Sequence, residues 1–133
     1  MTPFDLKIIT PEKTFFDGST EQIVAKTTSG NVGILAGHSP YVANIVSSPF
    51  RIMIDGEFRT AAISGGLMKV SQQEVVVVTS AIEWADEIDV ARAERAKALA
   101  EQKLKENASR KEFDRAEQKL RRAMNRLVVA GKK

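Results

Sequence analysis

Glycine and proline divide this chain in two. All four prolines and seven of the eight glycines lie at or before Gly66, and the next glycine is Gly131. These residues shape turns and stop helices. The first part must therefore be built from short, turn-punctuated segments. From Asp86 onward nothing stops a helix until the last three positions.

In the punctuated part, "FDLKII", "QIVAKTT", "NVGIL" and "YVANIV" read as strands, and "VVVVTS" as a buried strand. "RIMIDGEFRTAAI" sets Asp55-Gly56 between two β-prone runs. A two-residue primed turn needs positive φ, which Asp-Gly supplies, so this stretch predicts a hairpin. Ser64-Gly65-Gly66 and Ser71-Gln72-Gln73 predict further breaks. Short strands at this spacing predict a β-sandwich or barrel.

The unpunctuated part predicts two helices, about 88–105 and 110–129. Ser109 stands three residues before Glu112, a capping-box spacing, and Asn107 just before it suits a helix C-terminus. So short a link makes the helices antiparallel. Phe113, Ala116, Leu120, Ala123 and Leu127 form an apolar stripe on the second helix, and Ala93, Ala96, Ala100 and Leu104 form one on the first. At about 25 cal/mol per Å², an alanine seam is a weak adhesive, which predicts a hairpin that opens at modest cost. The expected fold is α+β: an N-terminal antiparallel β-sandwich over 1–86, then an antiparallel two-helix hairpin over 87–133.

Charge follows the same division. Residues 1–87 carry 6 Lys and Arg against 10 Asp and Glu, a net of −4, whereas 88–133 carry 14 against 7, a net of +7. A basic module on a mildly acidic body predicts different partners for the two. With 43% hydrophobic and 28% charged residues the chain reads as globular. No apolar run reaches the ~20 residues of a membrane span, and the N-terminus lacks the pattern of a secretory signal. The absence of cysteine excludes disulfides and thiolate metal sites, and it suits a reducing compartment.

Catalytic patterns fail one by one. "GNVGILAG" lacks the lysine of a phosphate-binding loop and runs into "HSP", not a helix. His38 has no acid or nucleophile at a recognisable spacing, so it reads as a loop residue or a protein contact. With one histidine, a zinc site has little to draw on. Asp55 and Glu57 flank the hairpin turn and are most simply solvated. No catalytic or metal-binding residue is expected.

The basic pattern is richer. Arg115, Lys119, Arg122 and Arg126 recur at 4, 3 and 4 along one helix face. Asp89 suits a helix N-cap, with Arg92 three residues on. In an antiparallel hairpin the start of the first helix lies beside the end of the second, so Arg92, Arg122 and Arg126 can converge. A helix start and three guanidiniums suit a polyphosphate. A solvated basic face with i,i+4 support is the other reading, and the spacing does not choose between them.

The chain resembles the epsilon subunits of bacterial F-type ATP synthases along essentially its whole length. The resemblance rests on "TTSGNVGILAGHSPYVANI", "AISGGLMKVSQQEVVVVTSAIEWADEID" and "RRAMNRL". It implies a ten-stranded β-sandwich with a C-terminal helical hairpin, without an active site of its own, at the cytoplasmic face of the bacterial membrane and held there only through the complex. It implies gamma-subunit and c-ring contacts through the sandwich: Asn31, Val32 and Gly33 towards the c-ring, and His38, Ser64 and Gly65 towards gamma. The helices would fold on the sandwich or extend to the alpha and beta subunits and inhibit ATP hydrolysis. Some members bind ATP through an I/L-D-x-x-R-A motif, here "IDVARA". The resemblance therefore implies ATP, alone or with Mg²⁺, as a regulatory ligand of Glu83, Ile88, Asp89, Arg92, Ala93, Arg122 and Arg126. Where such members place a further arginine along the first helix, this chain has Arg95 and Lys97, then Leu99. A purely structural coupling subunit, whose hairpin neither moves nor binds nucleotide, is the alternative. A nucleic-acid module is disfavoured, because the tail offers only Phe113 for stacking and interleaves its cations with acids.

Overall fold

The computed structural model describes residues 2–106 and 109–131. Eight strands precede two helices: β1 (Phe4–Ile9), β2 (Thr14–Thr20), β3 (Ile23–Thr27), β4 (Gly30–Ile34), β5 (Tyr41–Ile54), β6 (Glu57–Val70), β7 (Glu74–Thr79), β8 (Ile82–Trp84), α1 (Val90–Lys105) and α2 (Arg110–Ala130). The strands run in the order β2-β1-β7-β6-β5-β3-β4, with β8 pairing β6 off that path. Leu6 and Ile8 of β1 share one core with Ile23 and Ala25 of β3 and Ile34 of β4. Strands at opposite ends of the order thus face each other, and the sheet closes over as a β-sandwich.

The Asp55-Gly56 turn forms as expected, with φ of 51° and 82° and Ile54 paired to Glu57. Its two arms are longer than the sequence suggests. β5 and β6 are each 14 residues, and "YVANIV" continues into "RIMI" as one strand. Pro49 is tolerated inside β5 because it falls where the β3–β5 ladder is interrupted, between Ile45 and Arg51. β6 pairs β8 through Ala61–Ile63 and β7 through Gly66–Val70. Counting each half of β5 and β6 separately turns eight strands into ten.

Three local expectations change. Ser64-Gly65-Gly66 does not end a strand: β6 runs through it, because Gly65 at φ 94° bends the backbone without stopping the pairing on either side. β7 is not buried throughout. Val75 and Val77 face the core while Val78 is 51% exposed, the alternation of a strand with one wet face. β2 carries a strand the sequence reading did not propose, and β1 pairs β7 in parallel while the other pairings are antiparallel.

Both helices form close to their expected limits. Ile88 lies before α1 in extended conformation rather than inside it, with Asp89 as the N-cap. At the start of α2, Ser109 Oγ accepts from the Glu112 N–H at 3.3 Å. Asn107 lies outside the described residues. The alanine seam is real: Ala93, Ala100, Ala116 and Ala123 are buried. Phe113 departs from its stripe and stays 42% exposed. The end of α2 packs Val129 and Ala130 on Ala62, Ala85 and Ile88, which brings the start of α1 beside the end of α2.

Candidate functional site

The basic face of α2 looks across at α1. Between them lies a groove of about 550 Å³ lined by Ala96, Leu99, Ala100 and Lys103 of α1 and by Arg115, Lys119, Arg122 and Arg126 of α2. Its volume lies within the ~300–1,000 Å³ usual for small-molecule sites. Small alanines leave this space, and long cationic side chains rim it, with their stems on apolar surface and their heads outward. Glu106 and Glu112 also line the groove, near the connection between the helices. Five cations against these two carboxylates leave the lining positive.

Two of the proposed ligand residues already engage each other. Arg126 Nε donates to Glu83 Oε1 at 2.7 Å, and both side chains are about one-third exposed. The pair ties α2 to the residue just before Trp84. It holds Arg126 at the groove with its charge half-answered by a carboxylate. Arg122 lines the same groove and is partly buried.

The "IDVARA" segment divides by role. Ile88 and Ala93 are buried, Ile88 against Val129 and Ala130 and Ala93 in the helical seam. The Asp89 carboxylate accepts from the Arg92 N–H at 3.0 Å and caps α1. The Arg92 side chain is exposed and is not part of the groove lining that includes Arg122 and Arg126. The expected convergence therefore unites Arg122 and Arg126, with Lys103, Arg115 and Lys119, while Arg92 stands outside. Asp89→Ala should cost about 1 kcal/mol, the usual worth of an N-cap. Thermal unfolding followed by helix dichroism measures it, and an unchanged midpoint would mean that water replaces the cap freely.

The residues expected at partner contacts fall in two places. Asn31, Val32 and Gly33 lie on β4, the last strand of the sheet order. Asn31 and Gly33 are exposed, and Val32 packs partly on the core. His38 stands beside Tyr41, ring centroids 5.1 Å apart, with its Nδ1 3.0 Å from the Ser39 carbonyl. The buried Tyr41 hydroxyl has no partner among the described residues, and burial raises its pKa above the usual tyrosine value. Ser64 and Gly65 are elsewhere, in the bend of β6. Ser64 lines the groove just described, and both line a second groove with Gln118, Arg121 and Arg122 of α2. In this folded form they face the helices.

Sequence reasoning passed over Asn125 and Lys103. Asn125 bonds the sandwich directly, and its only signal was a polar residue within "RRAMNRL" on the buried side of an otherwise basic helix. It also passed over Trp84, packed between Phe15 at 4.8 Å and the Arg59 guanidinium at 3.9 Å. Among the described residues no helix is long and apolar enough to cross a membrane.

Two family models match the chain one after the other. Residues 3–85 match the beta-sandwich domain of the ATP synthase Delta/Epsilon chain, and residues 86–131 match its long alpha-helix domain. The ATP synthase epsilon chain of Ruminococcus albus is 63% identical over 134 residues, covering all of both chains. That of Caldanaerobacter subterraneus subsp. tengcongensis is 42% identical over 130 residues, covering 97% of this chain and 94% of its own. A chain in the Euglena gracilis mitochondrial ATP synthase, from a structure of OSCP, F1 and the c-ring, has the same fold: TM-score 0.82 at 20% identity, over all of this chain and 83% of that one. Two domain models in the same order and a full-length relative at this identity leave one assignment: the chain belongs to the ATP synthase delta/epsilon family, within it to the epsilon chains.

Proposed function

We propose that this chain links the gamma subunit to the c-ring in the central stalk, and that its hairpin binds ATP when folded and inhibits ATP hydrolysis when extended towards the alpha and beta subunits. The observation that carries the reading is the positive groove enclosed by a helical seam made of alanine. The groove suits a polyphosphate, and the seam is weak enough to part. Arg122 and Arg126 are the chief phosphate-facing groups, Asp89 orders the start of α1, and Arg92 and Glu83 flank the site. The cationic lining fits ATP with or without Mg²⁺. The edge strand β4, with Asn31 to Gly33, is the proposed c-ring contact, and the His38 loop is the proposed gamma contact. The chain is then peripheral, at the cytoplasmic face, and reaches the membrane only through the complex.

A ligand that binds only the folded hairpin stabilises it by RT ln(1 + [L]/Kd), about 2.7 kcal/mol at a hundredfold excess. Such an increment shifts a marginal hairpin from mostly open to mostly closed. The test is a cross-link tying α1 to α2 in the assembled enzyme, and the chain has no native thiol to interfere. The linked form should no longer inhibit hydrolysis at low ATP. Inhibition unaffected by the link would overturn the moving hairpin.

A purely structural role has its own support. Asp89 is engaged as a cap and Arg126 is already paired with Glu83. Under that reading the isolated chain binds no ATP at millimolar concentration.

A further inference from the structure

The middle of the β5–β6 ribbon is where the sheet bends, and several carbonyls in and beside it accept from side chains. Ser48 Oγ donates to the Val46 carbonyl and Thr79 Oγ1 to the Gly65 carbonyl. Two more, those of Ser48 and Ile63, accept from a single group outside the sheet. Asn125 Nδ2 reaches them at 2.9 and 3.3 Å. Ser48 and Ile63 are register partners across β5 and β6, so one amide bridges both long strands. Asn125 is thus a polar residue of α2 that fastens the helix to both long strands of the sheet.

We infer that Asn125 is the positioning residue of the groove: its amide registers α2 on the sandwich and thereby holds Arg122 and Arg126 where they line the site. Three observations converge on this. Arg126 follows Asn125 directly and makes the 2.7 Å pair with Glu83, so both fasteners sit on one turn. The same end of α2 buries Val129 and Ala130 against Ala62, Ala85 and Ile88. α1, by contrast, buries only Ala93 and Ala100, both alanines of the helical seam. α2 is the anchored helix and α1 rides on it, so opening begins with α1. The role in ligand binding rests on the proposed nucleotide site, but the anchoring does not.

Amide hydrogen exchange of the full chain without nucleotide tests the anchoring, in the wild type and in Asn125→Asp. The substitution keeps the shape and removes the donor, facing two carbonyls with an acceptor. In the wild type, α1 should exchange through smaller openings than residues 120–130. In Asn125→Asp, protection of 120–130 should fall about tenfold or more, the worth of one or two hydrogen bonds, to the level of α1. Amides of β1 and β7 should be unchanged, which shows that the sandwich remains folded. Equal protection of both helices in the wild type overturns the inference without any variant, and so does an unaltered α2 in a folded Asn125→Asp. ATP titration of the same pair separates the two readings. Binding weakened in Asn125→Asp supports the positioning role. Binding equal in both overturns that role. No binding in either removes the nucleotide site and leaves the anchoring to be judged by exchange alone.

Discussion

Replacing Gly66 with alanine should destabilise the sandwich by about 3 kcal/mol or more, the largest stability effect expected of any single methyl in this chain. A Cβ there would lie 2.2 Å from the Val78 carbonyl oxygen and 3.1 Å from Thr79 Cα. Both are backbone atoms of β7, which pairs with β6 on one side and β1 on the other. Neither can swing aside as a flexible side chain would. The opening at this point also serves the bend beside it, where Gly65 holds φ 94° and its carbonyl accepts from Thr79 Oγ1. Gly56→Ala is the control. Its Cβ meets nothing within 4 Å, so the cost is the positive φ of 82° alone, about 1 kcal/mol. Urea midpoints of the two variants compare these effects. Similar losses would show that β7 yields at no great cost, and the close-approach argument would fail.

The largest expected effect on binding is at Arg126. Arg126→Ala should weaken ATP binding to the isolated chain between about 10- and 150-fold, since a charge-assisted hydrogen bond contributes about 1.5–3 kcal/mol. Removing the guanidinium also leaves Glu83 as an unanswered carboxylate beside the groove. That charge repels phosphate, so truncating the carboxylate as well should recover part of the loss. The double variant Glu83→Ala with Arg126→Ala should accordingly bind more tightly than Arg126→Ala alone. Calorimetric titration of the wild type, Arg126→Ala and the double variant reads both effects. If the wild type binds ATP and Arg126→Ala binds it equally well, the groove on α2 is not the phosphate site.

Much of the local structure was legible. The Asp55-Gly56 turn, the Ser109 cap and the alanine seam all follow from neighbours within four residues, and all three are present. Periods and turn chemistry act over short distances, so sequence exposes them directly. The Ser64-Gly65-Gly66 stretch shows where such reasoning stops. Glycines that signal a break locally became a bend in a 14-residue strand, because β5, β7 and β8 pair with it on both sides of the bend. The parallel pairing of β1 with β7 joins segments about seventy residues apart, beyond the reach of any local pattern.

The candidate site divides in the same way. The arginine stripe on α2 and the cap at Asp89 were visible as spacings, since a helix converts sequence separation into a face. Which cations share a groove depends on how two helices pack and on what each side chain meets across the gap. Arg126 meets Glu83, forty-three residues away, and Asn125 meets Ser48, seventy-seven residues away. The sequence by itself determined two modules of opposite charge, one stopped repeatedly by glycine and proline and one free to be helical. Tertiary structure alone decided which helix is anchored and which arginines face the groove, because those outcomes depend on contacts between residues far apart in the chain, Asn125 with Ser48 and Ile63 and Arg126 with Glu83.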